Sequence, residues 1–172
     1  NPRNHALYAD KRNLVLLSDA ARLRDWGVDS RDLEILSKAI PRAQEVTPTN
    51  ADRIWRDRKK SFFKPFAGYA SKAVYRGDKV TSARWAEIRT GGYIAQEFAE
   101  PGERMVVLDG ELLARKVDFR LYAYEVDTLL TAARVYQGQT TNMRTPGGGF
   151  APVLVVEDGV GSLTSCEAAD TV

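Results

Sequence analysis

The sequence predicts an α+β fold in which an N-terminal helical segment precedes mostly antiparallel sheets with one inserted helix. Apolar residues recur at helical spacing through residues 10–60, and beyond Lys60 the pattern changes to short strands separated by turn residues. One helix signal, at Thr81, interrupts these strands. The chain has 172 residues, of which 44% are hydrophobic, so it can bury a core as one domain or as two fused lobes.

Three helices are predicted in the N-terminal segment. The first is DKRNLVLLSDAARLRDW, which Gly27 ends. The second is SRDLEILSKAI, with Ser30 as its N-cap and Pro41 as its stop. The third begins at Thr49 or Asn50 and runs through ADRIWRDRKK.

The remainder of the chain predicts strands. Thr81 caps the inserted helix SARWAEIR, and the pair Gly91-Gly92 stops it. Asp109-Gly110 between MVVL and ELLA predicts a two-residue hairpin turn. A polar, glycine-rich loop at 137–150 is either floppy or functional. The predicted strands are residues 61–66, 72–76, 93–98, 104–108, 111–125 with a break, 128–136 and 151–156.

Composition narrows the classes of function. The chain carries 25 basic and 23 acidic residues, so its net charge of +2 gives no case for a nucleic-acid or membrane surface. The single cysteine, Cys166, excludes an internal disulfide and fits a reducing compartment, so we predict a cytoplasmic protein. A single histidine, His5, disfavours a histidine metal site or a hydrolase triad. No apolar run reaches the roughly 18 residues that a membrane helix needs.

The stretch FFKPFAGYASKA places Lys64 in an apolar strand ahead of a loop of small residues. Such a loop lets backbone N–H groups approach phosphate oxygens, and lysines beside it add compact positive charge. We therefore predict phosphate contacts from Lys64, from Gly68 and Ser71 in the loop, and from Lys72. An ordinary strand and hairpin is the alternative.

Two later strands carry polar pairs. In YIAQEF, Gln96 and Glu97 need hydrogen-bonding partners within a strand, and an adenine amino group would serve. In VDFRLY, Asp118 and Arg120 stand two residues apart on one strand face. They form either a plain salt bridge or part of a magnesium triphosphate site.

The running order of these features resembles the ATP-grasp superfamily. More narrowly, it resembles the circularly permuted branch that includes glutathionylspermidine synthase and the eukaryotic-type glutathione synthetase. The loop AGYASKA has one glycine where many relatives have three. The resemblance covers roughly residues 1–156 and rests on NPRNHALYADKRNLVLLSD with its Asp10-Lys11 pair, FFKPFAGYASKAVYRG, YIAQEF, VDFRLYAYEVDTLLTAARVYQGQ and TTNMRTPGGGFAPV.

The resemblance implies an ATP-grasp-like fold and the ATP-binding part of an ATP- and Mg²⁺-dependent carboxylate–amine ligase that acts through an acyl phosphate. The expected partners are a small-molecule or peptide acceptor with a carboxylate and an upstream part of the same polypeptide, without nucleic acid or membrane. The implied roles are phosphate binding by Lys64 and Lys72, adenine binding by Gln96 and Glu97, metal binding by Asp118 and Asn142, γ-phosphate binding by Arg120, and acceptor binding by Arg144.

The predicted organisation is a helical segment at 1–60, a nucleotide-binding region at 61–156 and a flexible tail at 157–172. The start at NPRNH, without Met, predicts a piece of a longer protein. Two other functions stay open. A non-catalytic nucleotide-binding or assembly module would agree with the one-glycine loop. A single-stranded RNA binder would use Tyr69, Tyr75, Tyr93 and Arg76 as a stacking platform, although the even charge balance opposes it.

Overall fold

The computed structural model describes residues 3, 5–68 and 72–154. The chain divides into two compact units, an N-terminal unit at Asn1–Pro101 and a C-terminal unit at Gly102–Val172. The predicted tail at 157–172 and the end of the last predicted strand, 155–156, lie outside the described residues. Each unit contains one four-stranded antiparallel sheet, and helices are found in the N-terminal one. The predicted α+β class with antiparallel sheets is thereby confirmed.

The N-terminal unit begins with four short helices. They are α1 at His5–Ala9, α2 at Arg12–Leu17, α3 at Ala20–Asp25 and α4 at Ser30–Ala39. The predicted first helix is therefore broken, because the Asp19 side chain accepts a hydrogen bond from the backbone N–H of Arg22 and starts a new helix. Asp29, one residue before the predicted Ser30, caps α4 in the same way.

The helical prediction for residues 10–60 is wrong at β1, Ala43–Glu45, which is a strand. Pro41 follows α4, and β1 then pairs antiparallel with β4, Tyr93–Glu97, in a register that sets Ala43 opposite Gln96. The partner strand lies about fifty residues further along, so no local pattern could reveal it. The hydroxyl oxygen of Ser18 accepts a hydrogen bond from the Ala43 N–H at 3.0 Å.

The rest of the N-terminal unit builds the first sheet, in which the strands lie in the order β1, β4, β2 at Ser61–Pro65 and β3 at Tyr75–Arg76. Strand β3 begins later than predicted because Ala73 has a φ of 55°, which takes the chain through a turn. The Thr81 hydroxyl caps α6 as predicted. The remaining elements are α5 at Ala51–Arg56, 3-10 turns at Arg58–Lys60 and Gly77–Lys79, and α6 at Ser82–Ile88.

One face of this sheet forms the core of the unit. Phe63 and Ala95, opposite each other in register, are buried on it together with residues of α5 and α6. Trp55 stacks on Trp85 with ring centroids 5.1 Å apart, and Phe63 meets Trp85 edge-on at 5.5 Å. Because side chains alternate along a strand, Phe62, Lys64 and Gln96 project from the opposite face.

The C-terminal unit contains a meander with strand order β5-β6-β7-β8, formed by Gly102–Leu108, Glu111–Tyr124, Asp127–Tyr136 and Gly149–Pro152. The Asp109-Gly110 turn has φ values of 52° and 81°, which confirms the predicted two-residue hairpin. The break expected in 111–125 is a register shift at Tyr122/Ala123 within one continuous strand.

In the described part of the chain, no helix combines the length and apolar character required to cross a bilayer.

Gly77 gives a test of the packing in the N-terminal unit. A Cβ at this position would lie 1.7 Å from the carbonyl oxygen of Arg58 and 2.8 Å from that of Ser61, so backbone must move. We expect Gly77→Ala to destabilise the unit by about 3 kcal/mol, as overpacking does. Urea unfolding followed by the fluorescence of the three tryptophans, all in this unit, measures the change. Wild type is the reference, and an unchanged urea midpoint in Gly77→Ala would contradict this packing.

Candidate functional site

Lys64 lies on β2 and is held by Gln96 on the neighbouring strand. Lys64 Nζ donates a hydrogen bond to Gln96 Oε1 at 2.6 Å. Gln96 is 5% exposed, and its Nε2 donates to the carbonyl oxygen of Pro41 at 3.0 Å. The buried amide therefore has protein partners at both ends, so it does not need the adenine group that the sequence suggested. It fixes the direction of the lysine instead.

Glu97 does not join this arrangement. It follows Gln96 on β4 and therefore faces the other side of the sheet, where it is exposed. There it lines an open groove of about 1340 Å³ beside β1, together with Arg42, Asp57 and Lys60. Lys64 and Gln96 do not line that groove. The predicted adenine pair is thus divided between two faces.

Lys11, at the start of α2, joins Lys64. Its backbone N–H donates to Phe66 O at 2.9 Å, and its Nζ donates to Gly68 O, also at 2.9 Å. Burial lowers the pKa of Lys64, and the positive charge of Lys11 lowers it further. Sequence reasoning gave Lys11 no role in a site, although the Asp10-Lys11 pair was part of the family resemblance.

The carboxylate of Asp10, next to Lys11 in sequence, is bound by Arg12. Asp10 accepts hydrogen bonds from Arg12, the shortest of them at 2.6 Å, and these bonds lower the pKa of Asp10 from 3.8 to about 2. Among the described residues, Lys11 is the charged group that acts on the pKa of Lys64. Lys64 therefore has a cation beside it and no carboxylate acting on its pKa, whereas Lys11 is close to Asp10, whose carboxylate is bound by Arg12. Such an arrangement favours an anion.

The glycine turn after β2 borders the lysines. Gly68 has a φ of 126°, which L residues rarely adopt, whereas among the described residues a Cβ there would meet only Pro65 Cγ at 3.7 Å. The glycine is therefore required by its backbone angle rather than by crowding. Ser71, a predicted phosphate contact, lies outside the described residues, and Lys72 is exposed in the turn that follows.

Asp118, a predicted metal ligand on β6, is bound by Arg134 on β7. Arg134 Nε and Nη2 donate to the two carboxylate oxygens at 2.6 and 2.9 Å. Thr141 Oγ1 donates to Oδ2 at 3.1 Å. The alternative of a salt bridge between Asp118 and Arg120 is wrong, because the ion pair of Asp118 is with Arg134. Within the described residues Arg120 is exposed and forms no ion pair.

Asn142 and Arg144 lie in the loop after β7. Asn142 Oδ1 accepts a hydrogen bond from the backbone N–H of Arg144 at 3.1 Å, which closes a local turn, and the Arg144 side chain is exposed. Strand β6 anchors the loop, because Arg115 Nε donates to Pro146 O at 3.1 Å and Lys116 Nζ donates to Gly138 O at 2.6 Å. Sequence reasoning missed both anchors, which lie at least 22 residues from their acceptors.

Magnesium does not fit Asp118 and Asn142 as they stand. Both oxygens of Asp118 accept from Arg134, and Asn142 Oδ1 closes the turn. Over the described ranges, no group of three or more histidine, cysteine, aspartate or glutamate residues could hold a metal ion. These two residues therefore act as structural anchors of the loop.

The side chains predicted to form an RNA-stacking platform pack against other residues of the N-terminal unit. Tyr75 and Tyr93 pack against the hydrophobic core with ring centroids 6.4 Å apart. The Arg76 guanidinium lies over the Phe98 ring at 4.5 Å and pairs with Asp78. Tyr69 lies outside the described residues. These side chains do not present an open stacking surface.

The ion pair of Asp118 gives a second prediction. We expect Asp118→Asn to weaken the anchoring of the loop by about 1–2 kcal/mol, because the charge-assisted bonds to Arg134 are lost while the shape is kept. Hydrogen exchange of the amides at 137–148 measures this loosening. Asp127→Asn, at an exposed position of the β6–β7 hairpin, should leave the loop unchanged. Protection of the wild-type loop by Mg²⁺ alone, absent in Asp118→Asn, would restore Asp118 to a metal site.

Comparisons with family models, with curated proteins and with solved structures found no match to this chain. The chemistry that Lys11, Lys64 and their neighbours can support is therefore the basis for a function.

Proposed function

We propose that the N-terminal unit binds the polyphosphate of ATP, and that the chain is the ATP-binding part of a cytoplasmic carboxylate–amine ligase with an ATP-grasp-like fold. One observation carries the proposal. Lys11 Nζ lies on the carbonyl oxygen of Gly68, its positive charge acts on Lys64, and among the described residues no carboxylate acts on the pKa of Lys64.

The electrostatics favour a phosphate group at this position. A half-buried ammonium group loses hydration, and a second cation beside it adds repulsion, so both effects disfavour the charged form of Lys64. A bound phosphate would reverse both effects, because it supplies opposite charge and hydrogen-bond acceptors to the two Nζ atoms. Turns that contain glycine also let phosphate oxygens approach backbone N–H groups. The energy stored in the repulsion would then favour binding.

The residues around Lys64 orient its amine and the turn at Gly68 and take no part in bond formation. Gln96 directs Lys64 Nζ, and the Pro41 carbonyl holds Gln96. Lys11 fixes the carbonyl of Gly68 and so the path of the turn. In the proposed ligase, the γ-phosphoryl group of ATP passes to a carboxylate, and an amine then displaces phosphate from the acyl phosphate. The lysines would offset phosphate charge during this transfer.

Arg120 and Arg144 stay candidates for the γ-phosphate and the acceptor carboxylate, since both are exposed in the C-terminal unit. Mg²⁺ would arrive with ATP, because magnesium in such sites is held largely by substrate phosphates and water. We assign it no protein ligand in the described part of the chain.

A second candidate function is a nucleotide-binding module without catalysis. It is favoured by the ion pair between Asp118 and Arg134, since this pair occupies the carboxylate that a ligase would use for its metal. The two candidates share the lysine site and differ in turnover.

ATP binding is tested by stability. At 100 times its dissociation constant, ATP should stabilise the protein by about 2.7 kcal/mol. We expect Lys64→Met to fold with a stability lower by about 1–3 kcal/mol, because Gln96 Oε1 loses its donor, and to lose most of the gain from ATP, because the variant keeps the apolar stem but lacks the charge. Lys59→Met, at an exposed lysine outside the site, should respond like wild type. Thermal shifts with ATP, AMP and adenosine make the measurement; equal shifts with all three ligands would argue against a polyphosphate site.

Turnover separates the ligase from the module. The ligase predicts release of ADP and phosphate that depends on an added carboxylate and an added amine. A panel of small carboxylates and peptides with amine acceptors, assayed for both products, makes this test. Tight ATP binding without product from any pair would favour the non-catalytic module.

The lowered pKa of Lys64 predicts how ATP affinity depends on pH. A bound phosphate raises this pKa towards its ordinary value, so binding takes up a proton at pH values above the pKa of the free protein. ATP affinity should therefore fall as the pH rises from the lowered pKa of free Lys64 towards 10.5, the ordinary pKa of lysine. Titration of the phosphate itself, with a pKa of about 6, is complete below this window.

Calorimetry in two buffers of different ionisation enthalpy measures this proton uptake directly. Lys64→Met should remove the uptake. Identical uptake in wild type and in the variant would assign the proton to another group.

A further inference from the structure

We propose that Lys64 is a modification site, acylated by acyl phosphates, and that acylation closes the anion site formed with Lys11. The inference rests on the proposed function only through the phosphate site itself, since it requires neither ATP nor ligase turnover. The reagent class is the mixed anhydride of a carboxylic acid and phosphoric acid, for which acetyl phosphate is a simple probe.

The geometry presents Lys64 as an amine nucleophile. The side chain is half-buried on β2, and its hydrogen bond to Gln96 Oε1 fixes the position of its nitrogen. Gln96 is itself held by Pro41 O, so the amine is directed by a buried amide rather than moving freely. An exposed lysine such as Lys59 lacks this support. Desolvated lysines are the ones that proteins use as nucleophiles.

Lys11 supplies the second requirement, a place for the phosphoryl group. Its Nζ sits on the glycine turn, close enough to affect the pKa of Lys64. An acyl phosphate bound there by its phosphoryl end would bring its carbonyl carbon towards the amine. Such positioning raises the effective concentration of the reacting groups.

The reaction balances without a further reactant. The neutral amine of Lys64 attacks the carbonyl carbon, the new C–N bond forms, and the C–O bond to the phosphate breaks. Phosphate leaves with the electron pair of that bond, and the nitrogen gives up one proton to solvent. The product is a neutral amide, so the site loses one of its two positive charges.

Two opposing effects decide the rate below the pKa of lysine. A lower pKa increases the neutral fraction of Lys64 in full, whereas the intrinsic nucleophilicity falls only by part of that gain, as it does for thiols. Before an anion binds, burial and the charge of Lys11 therefore raise the neutral, reactive fraction of Lys64 above that of an exposed lysine.

The experiment compares lysines within one intact protein. The chain is incubated with acetyl phosphate, the remaining amines are capped with deuterated acetic anhydride in denaturant, and mass spectrometry gives the acetylated fraction at each lysine. Trypsin does not cleave after acetylated lysine, so it cuts after Arg58 and Arg76 and leaves KKSFFKPFAGYASKAVYR, in which fragment ions distinguish Lys64 from Lys59. We expect Lys64 to be acetylated at least about fivefold faster than Lys59 and Lys79, because positioning and desolvation act together.

A second reagent separates guidance by phosphate from general reactivity. Lys11→Met should slow the reaction of Lys64 with acetyl phosphate more than its reaction with the N-hydroxysuccinimide ester of acetic acid, which has no phosphoryl group. Inorganic pyrophosphate should protect Lys64 from the first reagent. A general loosening of the fold would change both rates alike, so it does not affect their ratio within one variant.

The outcomes distinguish this inference from the proposed function. Acetylation of Lys64 at the rate of Lys59 would overturn the inference, even in a protein that binds ATP. Preferred acetylation with protection by pyrophosphate but not by ATP would support it and overturn the ATP site. When both hold, acetylated wild type should bind ATP at least about tenfold more weakly, as loss of a charge-assisted hydrogen bond implies. Unchanged affinity would show that acylation does not close the site.

Discussion

The hydrogen bond between Lys64 and the buried side chain of Gln96 is the interaction on which the site depends. Gln96 stands opposite Phe62 on one side and Ala43 on the other, so its position requires three strands in register. A slip of one residue would turn Gln96 to the opposite face and leave Lys64 without its acceptor. The polar site is therefore a consequence of strand pairing that the core residues Phe63 and Ala95 enforce from the opposite face of the sheet.

The helical N-terminal segment belongs to the same unit as this sheet. Lys11 donates to Phe66 O from its backbone and to Gly68 O from its side chain, so α2 begins on the glycine turn. The compact units divide at Pro101, whereas the change of sequence pattern falls at Lys60. Periodicity reports which secondary structure forms, but contacts across the chain decide what folds together.

Sequence reasoning succeeded where the deciding contact is local. The Thr81 cap reaches three residues along, and the Asp109-Gly110 turn depends on its own backbone angles. It failed where partners are distant: Lys11 and Gly68 are 57 residues apart, and Asp118 and Arg134 are 16 apart. The pattern identified Asp118 as a residue needing a cation, yet Arg120 at the same strand face was as good a local choice as Arg134 on the next strand. The pairing of β6 with β7 sets Arg134 directly opposite Asp118, and the ion pair forms there.

The two units differ in how their charged residues are paired, and this difference determines which ions each unit can bind. In the C-terminal unit Asp118 already has two bonds from Arg134 and one from Thr141, so a metal ion would have to displace a formed ion pair. Removing one partner of such a pair is costly, because the other is left without compensation. In the N-terminal unit an anion breaks no ion pair and relieves the repulsion between Lys11 and Lys64. A ligand changes the populations of two conformations only if it binds one of them more tightly than the other. An anion at the lysines of the N-terminal unit therefore needs no change at Asp118, whereas a metal ion at Asp118 would leave Arg134 without its carboxylate partner.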